Sequence, residues 1–113
     1  LIKGDNILLY WAFENIIKNS IDSIRNSNGL IQIVYFVIDN EIIISFIDNG
    51  IGIDRKNKKN IFKPGFSTKS KGWGIGLNLS RRIIEGMHKG SLRLVKSKTD
   101  ETIFQVRLNF PIS

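Results

Sequence analysis

Two apolar runs, Leu30–Ile38 and Glu41–Ile47, are separated by only Asp39 and Asn40. A two-residue connection suits the tight turns that join antiparallel strands, whereas parallel neighbours need a crossover of a dozen or more residues. The chain therefore contains a β-hairpin, and the remaining elements must be arranged around it. The second run carries IIISFI, apolar almost throughout, which calls for cover on both faces. It ends abruptly in a carboxylate, Asp48. Gly50 and Gly52 follow at alternate positions, and then a second acid, Asp54.

The elements on either side can be read from their periodicity. Residues 6–26 predict a long helix, with Leu9, Phe13, Ile16, Ile17 and Ile24 gathered on a core-facing side. Asn15, Asn19 and Asp22 stand at i, i+4 and i+7, nearly opposite that stripe. Asn26–Gly29 reads as its C-terminal stop. After the hairpin comes a long irregular region from about Asp48 to Trp73, rich in Gly, Lys and Asn; loops of this length in a compact domain are usually functional. A second helix is predicted over about Gly76–His88, with Leu79, Ile83, Ile84 and Met87 at core spacing, closed by Lys89 and Gly90. Two further strands, 91–97 and 102–110, complete the chain. In the last, Thr102, Phe104, Val106, Leu108 and Phe110 alternate with Gln105, Arg107 and Asn109. The expectation is an α+β fold: a two-layer sandwich in which helices cover one face of a mixed, mainly antiparallel sheet.

Size and composition narrow the chemistry. The 113 residues, 42% hydrophobic, suit one domain with one core. With no cysteine and a single histidine, His88, neither a disulfide framework nor a thiolate or multi-histidine metal site is available. No apolar run approaches the ~20 residues of a membrane span. A chain that begins at Leu1 rather than methionine reads as a piece of a longer polypeptide. The net charge of +7 suggests an anionic partner: nucleic acid, a membrane surface or a phosphorylated small molecule. Its densest run, Arg55–Lys59, reads as a solvated loop.

Three clusters carry chemistry. Asp48 closes a buried strand, which is costly unless something donates hydrogen bonds to it. A turn-former would satisfy that need. So would a pocket in which Gly50 and Gly52 let a flat ligand approach the backbone while the carboxylate accepts from an exocyclic amine such as that of adenine. Further on, Gly72, Gly74 and Gly76 alternate just before the second helix, with Ser67, Thr68, Lys69 and Lys71 upstream. Exposed N–H groups leading into a helix make an anion site, and lysine and hydroxyl groups complete a phosphate cradle; a flexible connector is the plainer alternative. The spacing is neither that of the P-loop nor that of the Rossmann fingerprint. Finally, Asn15, Asn19 and Asp22 are either solvated or able to hold a hydrated Mg²⁺.

Taken in order, these clusters resemble the ATP-binding catalytic domain of sensor histidine kinases, in the superfamily shared with gyrase, MutL and a heat-shock chaperone. ENIIKNSIDSI is similar to the asparagine box, DNGIGI to the first glycine box, IFKPGFSTK to the phenylalanine box and GWGIGL to the second glycine box. FQVRLNFP is similar to the family's last strand, so the resemblance spans essentially the whole chain. It implies that Asn19 holds Mg²⁺ with help from Asn15, and that Asp48 receives the adenine amino group in a slot shaped by Gly50 and Gly52. Residues from about Arg55 to Trp73 would form a mobile ATP lid, anchored by Phe62 and Phe66, in which Ser67, Thr68 and Lys69 face the phosphates. Gly72, Gly74 and Gly76 would present N–H groups to them, and Lys69 would stabilise the moving phosphoryl group. Asp22, Ile53, Trp73, Ile75 and Leu77 complete the implied ATP-binding set.

The same resemblance implies transfer of the γ-phosphoryl group from Mg-ATP to a histidine on a separate dimerisation domain. It further implies a downstream response regulator, a homodimeric parent protein, a cytoplasmic location for this domain and no nucleic-acid partner. There are departures. Trp73 stands where a small polar residue is common, Asp22 replaces a frequent lysine or arginine, and the turn at Lys98–Phe104 lacks the usual glycines. His88, at the end of the second helix and without an acidic neighbour, reads as structural rather than as the phosphoacceptor. Glu14 is a weak candidate for a general base. The alternatives are a superfamily ATPase or an anti-sigma-type serine kinase; a gyrase-like ATPase wants a glutamate where this chain has Asn15. A non-catalytic, nucleic-acid-binding module would be expected to show aromatics interleaved with a basic stripe, which the chain lacks.

Overall fold

The computed structural model describes residues 6–24, 28–53, 58, 60–63, 76–87 and 89–109. In chain order they form α1 (Asn6–Ser23), β1 (Ile31–Ile38), β2 (Glu41–Asp48), α2 (Gly76–Arg82), β3 (Ser91–Lys98) and β4 (Glu101–Asn109). A π-helical turn, Ile83–Met87, continues α2. The strands make one sheet in the order β1-β2-β4-β3. Each of its three pairings is antiparallel, so the mixed sheet expected from the sequence is a purely antiparallel one among the described residues.

Both hairpins turn on an aspartate. Asp39 takes φ 54° between β1 and β2, and Asp100 takes φ 72° between β3 and β4. Aspartate tolerates this left-handed region because its short side chain can bond locally, which explains how the second turn manages without glycine.

The helices lie on one face of the sheet. Leu9, Ala12 and Ile16 of α1, Phe46 of β2, Ile83 and Ile84 after α2, Leu92 of β3, and Phe104, Val106 and Leu108 of β4 form a continuous buried cluster. Burying each large apolar side chain contributes roughly 1.5–3 kcal/mol. In β4, Thr102, Phe104, Val106 and Leu108 are all buried, as the alternation predicts. The ring of Phe13 meets Phe46 at 5.8 Å between centroids, tying α1 to β2.

The buried stripe of α1 differs from the expected one. It runs through Leu9, Ala12, Ile16 and Ser20, while Phe13, Ile17 and Ile24 are only half-buried. Two small residues, Ala12 and Ser20, bring the helix close to its neighbours, and the Ser80 hydroxyl of α2 donates to the Ala12 carbonyl at 2.8 Å. The stripe is thereby rotated toward α2. Asn15 and Asn19 border the core, half-buried, rather than standing opposite it, and only Asp22 of that trio is exposed.

Candidate functional site

The end of β2 is built as a brace around one carboxylate. Asp48 is 2% exposed. Its Oδ1 accepts the Gly50 N–H at 2.9 Å, a turn of the kind Asp side chains make with the backbone two residues on. The Ser23 hydroxyl, at the last residue of α1, also reaches Oδ1 at 3.2 Å. That single proton is shared with the Ser20 carbonyl, which is closer at 2.9 Å. A carboxylate this deep needs hydrogen-bond donors, and a charge-assisted bond from a ligand would add one. Both of these bonds use Oδ1.

The loop after Asp48 is held from two sides. The Ile51 N–H donates to the Ser23 carbonyl at 3.0 Å, and the Asp100 N–H donates to the Gly50 carbonyl at 3.0 Å. The Ile53 N–H donates to Ser97 Oγ at 2.7 Å. Asn49 fastens the segment before β1: Leu30 N–H donates to its Oδ1 at 2.8 Å, and its Nδ2 donates to the Asn28 carbonyl at 2.9 Å.

The glycines are required by this bracing. A Cβ on Gly50 would run into Ser23 Oγ and lie 2.7 Å from the Ser23 carbonyl oxygen. Gly52 has φ +80°, and a Cβ there would lie 2.9 Å from the Lys98 carbonyl oxygen. The close approach that the missing side chains permit is therefore made by the chain itself. It carries the loop past the C-terminus of α1 and the β3–β4 hairpin.

The sequence reading missed Thr102. It pairs directly with Asp48 across the β2–β4 ladder. It is 3% exposed, and its hydroxyl has no hydrogen-bond partner among the described residues. Alternation places Thr102 among core residues; the available signal was that it is the one polar residue in that buried series. A buried hydroxyl beside a buried carboxylate is a polar floor, able to bond a ligand or a bridging water.

The other predicted residues fall in three groups. Asn15 and Asn19 lie on α1, two turns and one turn before Ser23, so this amide end stands roughly 6–12 Å from Ser23 along the helix. Asn15 also lines a cavity of about 210 Å³ between α1 and α2, together with Trp11, Glu14 and Leu79. That cavity borders the amide end and is smaller than a typical ligand pocket of about 300–1,000 Å³. Glu14, the weak base candidate, pairs with Lys18 at 3.3 Å.

Gly76 opens α2 as expected, and Leu77 is half-buried against the core. Phe62 packs edge-on to Phe104 at 6.2 Å, with the Arg81 guanidinium 4.5 Å from its ring centre. Its carbonyl accepts from Asn78 Nδ2 at 2.9 Å, so this part of the expected lid is tied to α2 and the sheet. Asp54, Arg55, Phe66, Ser67, Thr68, Lys69, Gly72, Trp73, Gly74, Ile75 and His88 lie outside the described residues, and with them most of the expected lid and phosphate cradle.

The residues present fit the groups expected of them. Asp48 and Thr102 set a carboxylate acceptor and a buried hydroxyl side by side on neighbouring strands, groups of the kind a purine edge would bond. Among the described residues there is no cluster of three or more His, Cys, Asp or Glu side chains that could hold a metal. A cation on α1 would therefore be held by amide oxygens, water and ligand phosphates, the coordination Mg²⁺ favours.

Comparison with known proteins places this geometry. The profile of the histidine kinase-, DNA gyrase B- and HSP90-like ATPases matches residues 4–112, and the chain belongs to that family. It is 36% identical over 108 residues to sporulation kinase C of Bacillus subtilis (strain 168), covering 96% of this chain and 25% of that protein. It is 42% identical over 94 residues to the signal transduction histidine-protein kinase AtoS of Escherichia coli (strain K12), covering 82% of this chain and 15% of that one. The chain thus spans a quarter or less of these two relatives. Its fold is similar to the solved catalytic domain of histidine kinase ThkA, with a TM-score of 0.83 and 27% identity over 96% of this chain and 70% of that one.

Proposed function

We propose that this chain is the catalytic module of a two-component sensor kinase, binding Mg-ATP and passing its γ-phosphoryl group to a histidine on a separate dimerisation domain. The observation that carries the reading is the buried Asp48 carboxylate paired across the sheet with a Thr102 hydroxyl that has no partner among the described residues, in a chain of this family. Asp48 Oδ2 accepts from the adenine amine and orients the base, while Gly50 and Gly52 keep the slot narrow. Asn19 and Asn15 hold Mg²⁺ through their amide oxygens. The metal's part is to neutralise phosphate charge. Lys69 and the N–H groups of Gly72, Gly74 and Gly76 stabilise the moving phosphoryl group.

In the transfer, the bond from the γ-phosphorus to the bridging oxygen of ADP breaks. A bond to an acceptor imidazole nitrogen forms, and that imidazole gives up a proton. With His88, the chain's one histidine, read as structural, the chain alone binds ATP without phosphorylating a protein. The reading also puts the module in the cytoplasm, in a homodimeric parent protein that hands its phosphoryl group to a response regulator. Incubation of the chain with γ-labelled ATP and a separate dimerisation domain from its parent tests this. Acid-labile, base-stable label on that domain is the expected result; nucleotide binding without such label in any pairing would refute the transfer while leaving the nucleotide site standing.

A further inference from the structure

The helices cover one face of the sheet, and the ladder registers identify what stands on the other, because cross-strand partners share a face. Opposite the side of Phe46 and Phe104, β1 and β2 present Val34, Phe36, Ile38, Ile43 and Ile47. A water-facing side of an antiparallel sheet is ordinarily polar. This half is apolar, and Val34, Phe36 and Ile38 are 48%, 47% and 50% exposed. Ile43 is the one buried apolar side chain among the described residues that lies outside the core cluster. Its cross-strand neighbours on this face are Phe36 and Arg107. The other half is cationic. It carries Arg107 on β4 and, by register, Arg93, Lys96 and Lys98 on β3. The face has two acids, and both are taken: Glu41 by Arg107 at 3.1 Å, and Glu101 by Lys96. Four cations against two acids leave a charge of +2. Arg93, exposed, stands beside Gln105 and forms no ion pair among the described residues.

We propose that this open face is a docking surface for an amphipathic α-helix of a partner protein, one with an apolar stripe and an acidic flank. The two halves of the face run along the strands side by side, which is how such a helix presents its two sides. The lengths agree: the 8 residues of β1 extend about 26 Å, as does a helix of about 17 residues. The apolar stripe lies on Val34, Phe36 and Ile38 and closes over Ile43. The acidic flank meets Arg93 and Lys98, which the acids of the face leave over. A lipid surface fits less well, because a bilayer holds its anionic headgroups above its apolar layer and not beside it. A second copy of the chain would bring the same excess of cations and be repelled. This inference is independent of the nucleotide reading.

The probe is a labelled, stapled helix of about 18 residues, with leucines at i, i+3, i+4 and i+7 and glutamates on one flank. Its fluorescence anisotropy is read against the complete protein, beside a counterpart whose flank carries lysines. The acidic helix should bind saturably, and the lysine helix at least about tenfold more weakly. Arg93→Glu on the exposed cationic half, and Val34→Glu on the apolar half, should each weaken the acidic helix at least about tenfold. Arg82→Glu, the same change of charge on exposed α2, should leave its affinity within about twofold, and ATP binding should be unchanged in all three variants. Failure of the acidic helix to bind would overturn the proposal. So would equal binding of both helices, or equal losses in Arg82→Glu and Arg93→Glu, since the attraction would then be one of net charge. Binding to phosphatidylglycerol vesicles that Arg93→Glu and Val34→Glu abolish, with no binding of the helix, would give the face to a membrane instead.

Discussion

Replacing Asp48 by asparagine changes one oxygen to an NH₂ and removes one charge while keeping the shape. The structure indicates which contacts survive. Asn Oδ1 still accepts from Gly50 N–H, now at 2.9 Å, and from Ser23 Oγ at 3.2 Å, so the brace after β2 remains. Under the proposed function, what is lost is the anionic oxygen that meets the adenine amine, replaced by a donor opposed to another donor. A hydrogen bond to a charged group is worth about 1.5–3 kcal/mol, so ATP should bind roughly 10- to 150-fold more weakly. Stability should move the other way or not at all, because a carboxylate that is 2% exposed no longer has to be desolvated. Calorimetric titration with ATP, beside a thermal melt, reads both. Inosine triphosphate sharpens the assay: it presents a carbonyl oxygen where ATP has its amine, and the asparagine NH₂ can donate to it. The preference for ATP over the inosine nucleotide should therefore narrow in Asp48→Asn. Unchanged ATP affinity in a folded variant would sink the adenine role of Asp48.

Other substitutions test the remaining parts. Asn19→Ala should abolish the Mg²⁺ dependence of ATP binding, measured by titration with and without the metal; a dependence that survives puts the metal elsewhere. Thr102→Val removes a buried hydroxyl that has no described partner, so the melt should be unchanged or raised while ATP affinity falls by about 1 kcal/mol, and unaltered affinity would make Thr102 a core residue only. Gly50→Ala forces a methyl group against Ser23 and should cost about 1–3 kcal/mol of stability. Gly86→Ala, whose added carbon meets nothing within 4 Å, should instead stabilise by about 0.5–1 kcal/mol. On the surface, the Lys96 ammonium bonded to Glu101 holds that carboxyl below its ordinary value of 4.5. The pair's contribution is therefore present above the unfolded value and is lost as pH falls through the lower folded one. An NMR titration should show Glu101 protonating later than a free glutamate, and Lys96→Met should abolish the difference.

Local patterns made much of the architecture legible. The two-residue gap at Asp39 and Asn40 required a hairpin, the alternation from Thr102 to Leu108 identified the buried face of β4, and Asp48 with its glycines marked the end of β2 as unusual. These are short-range constraints of turn length, side-chain period and buried charge, and they act on neighbours in the chain. The rotation of α1 was not legible, because the apolar residues at 13, 17 and 24 outweigh Ala12 and Ser20 in a helical projection. Only the packing of α2 against Ala12 shows that small residues make the closest contact.

What the chain by itself determined is the order of its parts: an asparagine-bearing helix, a strand closed by a carboxylate, glycine clusters, and a final alternating strand. Tertiary structure alone decided what those parts face. Asp48 and Thr102 are 54 residues apart in number and become one polar floor only through the β2–β4 register. Gly50 and Gly52 proved to be spacers for Ser23 and Lys98. The apolar strand β1, which by composition belongs in an interior, stands at an edge. Each of these depends on pairing between distant segments, and residue type records the need for a neighbour without saying which one meets it.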